Sequence, residues 1–290
     1  MNRLDTLYAS SSKYVIDDDT KLVIMSDCHR GIGDKDDNFS QNQNIFESAL
    51  LHYYYNGFTY VELGDGDEMW EVDNFHDIVN EHIDTFKVLK KFHHQKRLIM
   101  ICGNHDLCKK NKKIMKEYFY KYYDKSLKKE VDLLNNLKIL ESLVLKYEEN
   151  DLFLLHGHQV DALNCKFWKL SRFLVKNVWK PLEQIGFKDP TSAAKNYRVT
   201  KKVEKSLTKW SDKNHKIIIA GHTHRPVFSK INQSLYFNDG SCIHPNGITC
   251  LEIENGNISL VKWKLKLRKD GIISAGREVI EGPEKIISFF

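Results

Sequence analysis

Five short apolar runs, each ending at once in Asp, Gly, Asn or His, limit what this chain can fold into. They are "KLVIM" at 21–25, "YVEL" at 60–63, "RLIMI" at 97–101, "DLFLL" at 151–155 and "KIIIA" at 216–220. Runs this short, rich in β-branched residues or Leu, read as strands buried on both faces. Helical patterns lie between them. Phe75, Ile78, Val79, His82, Ile83, Phe86 and Leu89 recur at spacings of three and four, and "NIFESALLHYYY" is a second amphipathic stretch. Strand alternating with helix makes an α/β core. Ligands of open α/β sheets bind at the carboxyl ends of the strands, where all five polar clusters fall.

Two regions depart from this rhythm. From Gln159 to Asn214 the chain carries Trp168, Trp179 and Trp210, many lysines and helical spacing. It reads as a helical, basic cap inserted between two core strands. From Cys165 to Lys213 there are thirteen Lys or Arg against four Asp or Glu. Such a surface is either a solvated helical face or an anion-attracting rim. After Phe228, "SLYFNDGS", "GITCLEIENGNISLVKWKLKL" and "GIISAGREVI" read as short strands joined by Asp-Gly, Asn-Gly and Gly-Asn turns. These are expected to build a second sheet. The 290 residues suffice for one domain, 1–290, with the cap at 159–214 inside it.

No stretch approaches the roughly 20 apolar residues of a membrane span, and the first residues lack the apolar centre of a secretion signal. The six cysteines form no CxxC pair and read as free thiols. A cytoplasmic location is the expectation.

The strand ends hold the chemistry. "SDCHRG" brings Asp27 and His29, "LGDGDEMW" brings Asp65, "CGNHD" brings Asn104 and His105, "LHGHQVD" brings His156, and "GHTHRP" brings His222 and His224. Oxygen and nitrogen donors without thiolates suit manganese, iron or zinc. Two carboxylates, one amide and four imidazoles make seven donors, with one further histidine left over; the seven exceed one tetrahedral site and fit two metals sharing a carboxylate. In an extended turn, residues i and i+2 point to one side, so Asp27 with His29, and His222 with His224, can converge from one loop each. Gly64, Gly103, Gly157 and Gly221 permit tight turns and close approach. Any one of these histidines alone would read as solvated, as His52, His76, His82, His93, His94, His215 and His244 do.

The ordered set D-x-H, G-D, G-N-H-D, H-G-H and G-H-T-H resembles the calcineurin-like metallophosphoesterase superfamily over residues 21–250. The resemblance implies a four-layer α-β-β-α sandwich, two facing mixed sheets flanked by helices, here with a helical cap insertion. It implies two divalent ions, manganese first and iron or zinc next. Asp27, His29, Asp65 and His224 would hold one, and Asp65, Asn104, His156 and His222 the other. His105 would face the substrate, stabilising charge or protonating the leaving oxygen. "GDGDEMW" with Glu68 and Trp70 is similar to the G-D-x-x-E-x-W form of the branch that includes UDP-2,3-diacylglucosamine pyrophosphatases. That branch usually has Gly-Asn-Arg-Asp and His-Gly-Asp where this chain has His105 and His158.

The implied activity is hydrolysis of a phosphate ester or pyrophosphate bond, on a phosphodiester or a UDP-linked pyrophosphate. A phosphomonoesterase or serine-threonine protein phosphatase is the alternative, although the G-D-x-V-D-R-G form is absent. A nuclease or a non-catalytic metal-binding scaffold ranks behind both. Around the ligands, Arg30 and Arg225 either clamp phosphate oxygens or form ion pairs. Asp106 orients His105 or caps the following helix. His158 and Asp161 are candidates to fix a ligand's tautomer. Expected partners are a phosphorylated small molecule or a lipid-linked substrate, with no stable nucleic-acid complex. Peripheral membrane contact and oligomeric state stay open.

Overall fold

The computed structural model describes residues 3–124, 126–161, 173–175 and 196–290. All five apolar runs are strands, and they divide between two sheets. The larger holds β2 (Leu22–Met25), β3 (Thr59–Leu63), β4 (Leu98–Ile101), β7 (Ile139–Leu140), β12 (Ile248–Glu254), β13 (Asn257–Leu267) and β14 (Ile273–Lys285). Its order is β14-β13-β12-β2-β3-β4-β7, parallel from β2 to β7 and antiparallel beyond. The smaller holds β1 (Ser12–Ile16), β8 (Ser142–Tyr147), β9 (Asn150–Leu155), β10 (Ile217–Ala220) and β11 (Tyr236–Asn238), in the order β1-β8-β9-β10-β11. A separate ribbon pairs β5 (Lys121–Asp124) with β6 (Lys129–Asp132).

The second sheet is therefore not the one expected. Of the strands after Phe228, only β11 joins it, while β12 pairs antiparallel with β2 and extends the first sheet. Its central strand is β9, with β8 and β10 on either side. Apolar runs buried on both faces carry no mark of which sheet they join.

Alternate residues of each strand face different cores. Leu22, Ile24, Val61 and Leu63 meet Leu152, Leu154, Ile217 and Ile219 between the sheets. Val23, Met25 and Tyr60 face α2 (Gln43–Tyr55), α3 (Phe75–Glu81) and α4 (Ile83–His94). Phe153, Leu155, Ile218 and Ala220 face α1 (Arg3–Ser10) and α5 (Tyr197–Asn214) through Leu4, Leu7, Val203, Leu207 and Trp210. Two mixed sheets covered by helices on both outer sides make an α-β-β-α sandwich. The periodic stretch 75–89 breaks at His82, which lies between α3 and α4 with its ring nitrogens on Asp37 and Gln43, at 2.8 and 3.0 Å. It is a buried structural histidine rather than a solvated one.

Of the segment 159–214, helix α5 packs on the smaller sheet. Trp168, Trp179 and most of the remaining cap lie outside the described residues. Cys28, Cys102, Cys108, Cys242 and Cys250 are free thiols. No helix among the described residues is long and apolar enough to cross a membrane.

Candidate metal centre

The loops that leave β2 and β3 run on together after the strands end. Asp27 N–H donates to Gly64 O at 3.0 Å, His29 N–H to Asp65 O at 2.9 Å and Arg30 N–H to Gly66 O at 3.1 Å. On the other sheet, Gly221 N–H donates to His156 O at 3.0 Å. Four loops are thus held in register by continuation of the strand ladders.

The turns are not extended. Asp27, His29, Asp65, His222 and His224 all adopt left-handed backbone conformations, with φ of 53, 49, 50, 67 and 53°. Asp and His tolerate this region better than most residues, yet each such position costs about 1–3 kcal/mol and such positions concentrate at functional sites. Close approach explains one glycine. A Cβ at Gly103 would fall 2.0 Å from Asp65 Oδ1 and 2.4 Å from its backbone nitrogen.

Three groups of donors converge with their ligand atoms within 4.8 Å of one another: Asp27, His29 and His224; His29, Asp65 and His105; and Asp65, His156 and His222. Each carboxylate has one oxygen tied to the protein and one turned to the imidazoles. Asp65 Oδ1 accepts from His105 N–H at 2.8 Å, while Oδ2 lies 3.0 Å from His156 Nε2 and 3.8 Å from His29 Nε2. Asp27 Oδ2 accepts from His222 N–H at 2.9 Å, while Oδ1 lies 3.1 Å from His224 Nε2, 3.7 Å from His29 Nε2 and 3.8 Å from His156 Nε2.

The imidazoles are oriented the same way, with one nitrogen fixed and the other presented. His156 Nδ1 donates to Leu63 O at 2.9 Å, and His29 Nδ1 donates to Glu68 Oε2 at 2.9 Å. His222 Nε2 lies 3.4 Å from Asp161 Oδ2. Such outer partners set the tautomer of a metal-binding histidine.

The fit to a cation rests on which atoms are left over. Asp27 Oδ1, His29 Nε2, Asn104 Oδ1 and His156 Nε2 are buried and make no hydrogen bond. Buried polar groups in proteins are as a rule paired. Four orphaned Lewis-basic atoms from three loops, in one pocket, are what a bound cation would satisfy. Electrostatics agree: burial alone would raise Asp27 and Asp65, but the neighbouring imidazoles hold both well below the usual carboxylate range.

His105 stands slightly apart. Its Nδ1 donates to Glu68 Oε1 at 2.7 Å, and its ring stacks on Trp70 at 4.2 Å with planes 21° apart. Glu68 thus holds His29 and His105 together, one carboxylate oxygen to each. Burial pulls the His105 imidazole down, and Glu68 and Asp65 more than reverse it, so its net shift is upward.

Of four outer residues, the two arginines take the ion-pair alternative, and Asp106 and His158 take neither role expected of them. Arg30 lies beneath the pocket, fully buried; it donates to Asp67 at 2.6 Å and to both oxygens of Glu62 at 2.8 and 3.0 Å. It is an internal ion pair and not a phosphate clamp. Arg225 is the exposed ion pair, bound to both carboxylate oxygens of Glu204 on α5. Asp106 neither orients His105 nor caps a helix. It accepts from Gly103 N–H at 2.7 Å and Gly66 N–H at 3.1 Å, tying two ligand loops together, and binds Lys109 at 2.9 Å. His158 is buried beside His156, ring centroids 5.6 Å apart, but its Nδ1 has no hydrogen bond and the tautomer is fixed by Leu63 instead. Burial, then His156 and His222, push its pKa well down.

Sequence reasoning missed several supports. Ser26 Oγ bridges Asp27 and the fully buried Asp239. His244, read as solvated, reaches the backbone oxygen of His224 through Nε2. Nothing in the order of motifs marks Asp239 or His244, because both come from the β11–β12 connection.

Two sheets meeting at a pocket of carboxylate, amide and imidazole donors define a metal-dependent hydrolase centre. The family model described as the calcineurin-like phosphoesterase superfamily domain matches residues 21–256, and the chain belongs to that superfamily. It is a hydrolase of phosphoester bonds, in a family that uses divalent metal ions. Among solved structures, the chain is similar to a predicted phosphoesterase from Streptococcus pneumoniae, with 14% identity, 90% of this chain and 97% of that one covered, and a TM-score of 0.35. It is also similar to Vacuolar Protein Sorting 29 from Cryptosporidium parvum, with 14% identity, 91% and 98% covered, and a TM-score of 0.39. No curated protein matches the chain.

Proposed function

We propose that this chain hydrolyses a phosphodiester or a UDP-linked pyrophosphate with two divalent ions, manganese first among them. Asp27, His29, Asp65 and His224 would hold one ion, and Asp65, Asn104, His156 and His222 the other, with Asp65 shared. The four orphaned buried atoms carry this reading. When bound, paired divalent ions supply an activated water and neutralise charge at phosphorus.

The chain's own residues do the rest. Asp65 is anchored through Oδ1, which leaves Oδ2 between the two imidazole groups. Glu68 fixes the proton of His105 on Nδ1 and turns Nε2 outward. His105 is placed to hold a proton for the leaving oxygen. Trp70 keeps its ring from rotating. The basic segment 159–214 is proposed as the element that selects the substrate, its lysines favouring one with several negative charges.

The test is a cation titration with manganese, zinc and iron by calorimetry, together with turnover of a phosphodiester, a UDP-linked pyrophosphate and a phosphomonoester of one leaving group. Asp65→Ala and His156→Ala are expected to lose both cation binding and turnover. Full activity in either variant sinks the ligand assignment. Strong preference for the monoester transfers the reading to a phosphomonoesterase.

A further inference from the structure

The β13–β14 hairpin outgrows the sheet that carries it. Leu251 of β12 is level with Ile24 of β2, which sets Ile248 level with Asp27, and Ile248 pairs with Trp263 of β13. Beyond Trp263, β13 continues through Lys264, Leu265, Lys266 and Leu267 with β14 as its one strand partner among the described residues. At about 3.3 Å per residue, those four residues carry the tip roughly 13 Å past the level of Asp27. The overhang lies at the end of the sheet where the donor loops gather.

The overhang is two-faced. Leu265 and Leu267 pair with Ala275 and Ile273, on the face that continues the line of Trp263. Leu265, Leu267, Ile272 and Ile273 are 57, 73, 54 and 65% exposed. Lys262, Lys264 and Lys266 alternate onto the other face, and Arg268 and Lys269 occupy the turn. From Lys262 to Ala275 there are five Lys or Arg against one Asp or Glu; Lys264 is paired with Glu278 and Arg268 with Asp270, which leaves the tip net positive. Four large aliphatic side chains in water at the end of a long hairpin join no hydrophobic cluster among the described residues.

We infer that this hairpin tip docks on an anionic lipid bilayer, its aliphatic face in the interface and its cations against the headgroups. The charge selects the occupant. A second copy would bring the same positive tip, so tip-to-tip contact sets like charges together. Nucleic acid would leave the aliphatic face in water, and the overhang has no aromatic ring to stack on a base. An anionic bilayer takes both faces at once. Amphipathic elements sit roughly 5–10 Å into the interface, so a docked tip leaves the level of Asp27 within several ångströms of the headgroups. A phosphate carried on a lipid would then be in reach. The docking itself does not depend on the phosphoesterase reading, because vesicle binding is measured without turnover.

The experiment is co-sedimentation of the full chain with vesicles of phosphatidylcholine, or of phosphatidylcholine and phosphatidylglycerol in equal parts, across a salt series. Binding to the anionic vesicles at low salt, and little to the neutral ones, is expected. Leu267→Ser with Ile273→Ser alters only exposed side chains and should abolish binding while the circular dichroism spectrum is unchanged. Arg268→Ala with Lys269→Ala should weaken binding roughly tenfold or more and flatten its salt dependence. The inference is overturned if the native chain stays in the supernatant, or if the Leu267/Ile273 variant binds as well as the native chain. It is also overturned if light scattering shows a dimer that this variant splits, which would give the tip to a second copy.

Discussion

Replacing Lys109 by Met should destabilise the protein strongly at neutral pH and much less in mild acid. Lys109 is 3% exposed. Its ammonium lies 2.5 Å from Asp67 and 2.9 Å from Asp106, and 3.9 Å from Glu62. Together with Arg30 it forms a closed set of two cations and three carboxylates under the pocket. Met fills the volume of the stem but leaves three buried carboxylates facing one guanidinium. Removing one partner of a buried ion pair costs about 3–5 kcal/mol. In a domain of this size that is a fall in Tm of roughly 6–10 °C. The sign of the pH effect follows from Asp106. Burial already lifts it above the usual carboxylate range, with Asp65 adding to the lift and Lys109 opposing it. Without Lys109 its pKa rises further. The penalty is then full above that raised value and shrinks as pH falls through it and the carboxyl takes up a proton. Thermal melts by circular dichroism, in the presence of a chelator and from about pH 7 down to about pH 5, measure the gap between variant and native chain. A gap below about 2 °C, or one that stays constant with pH, refutes the reasoning.

Glu68→Gln leaves one acceptor for two imidazoles, so either His29 or His105 loses its anchor; cation affinity or turnover should fall roughly 10- to 100-fold, read by calorimetry and by rate. Asp151 is held down to about 2: burial opposes the shift, and Lys146, Lys216 and Tyr8 outweigh it. Its contribution is therefore present above the unfolded carboxylate pKa and lost as pH falls from about 4 towards 2. Asp151→Asn should flatten that acid limb of a urea-unfolding series by on the order of 1 kcal/mol, the lysines being partly exposed and screened. Trp210 packs on Tyr8 and Phe153 and donates to Asp5 at 2.7 Å; Trp210→Ala should cost about 3–5 kcal/mol in the same assay.

The convergence of the candidate donors was legible in the sequence because each sits at the end of an apolar run, and a strand end has only one place to point. The supports were not. Asp106 precedes a short 3-10 turn and looks like its cap, yet it turns back to the amides of Gly103 and Gly66. Arg30 follows the candidate ligand His29 and reads in the sequence as either a clamp or an ion pair. Its backbone pairs with the next loop, which sends the side chain under the sheet to Glu62 and Asp67. In both cases the deciding contact is with a residue more than thirty positions away, which no local pattern records. The spacing rule gave the convergence of Asp27 with His29 for the wrong reason. An extended turn would place i and i+2 on one side, but the chain uses left-handed residues and holds them with cross-loop hydrogen bonds. That distinction has a consequence for the chemistry. A strained turn fixed by the register of two sheets keeps its donors in place before any cation arrives. The cost of organising the pocket then falls on folding rather than on binding.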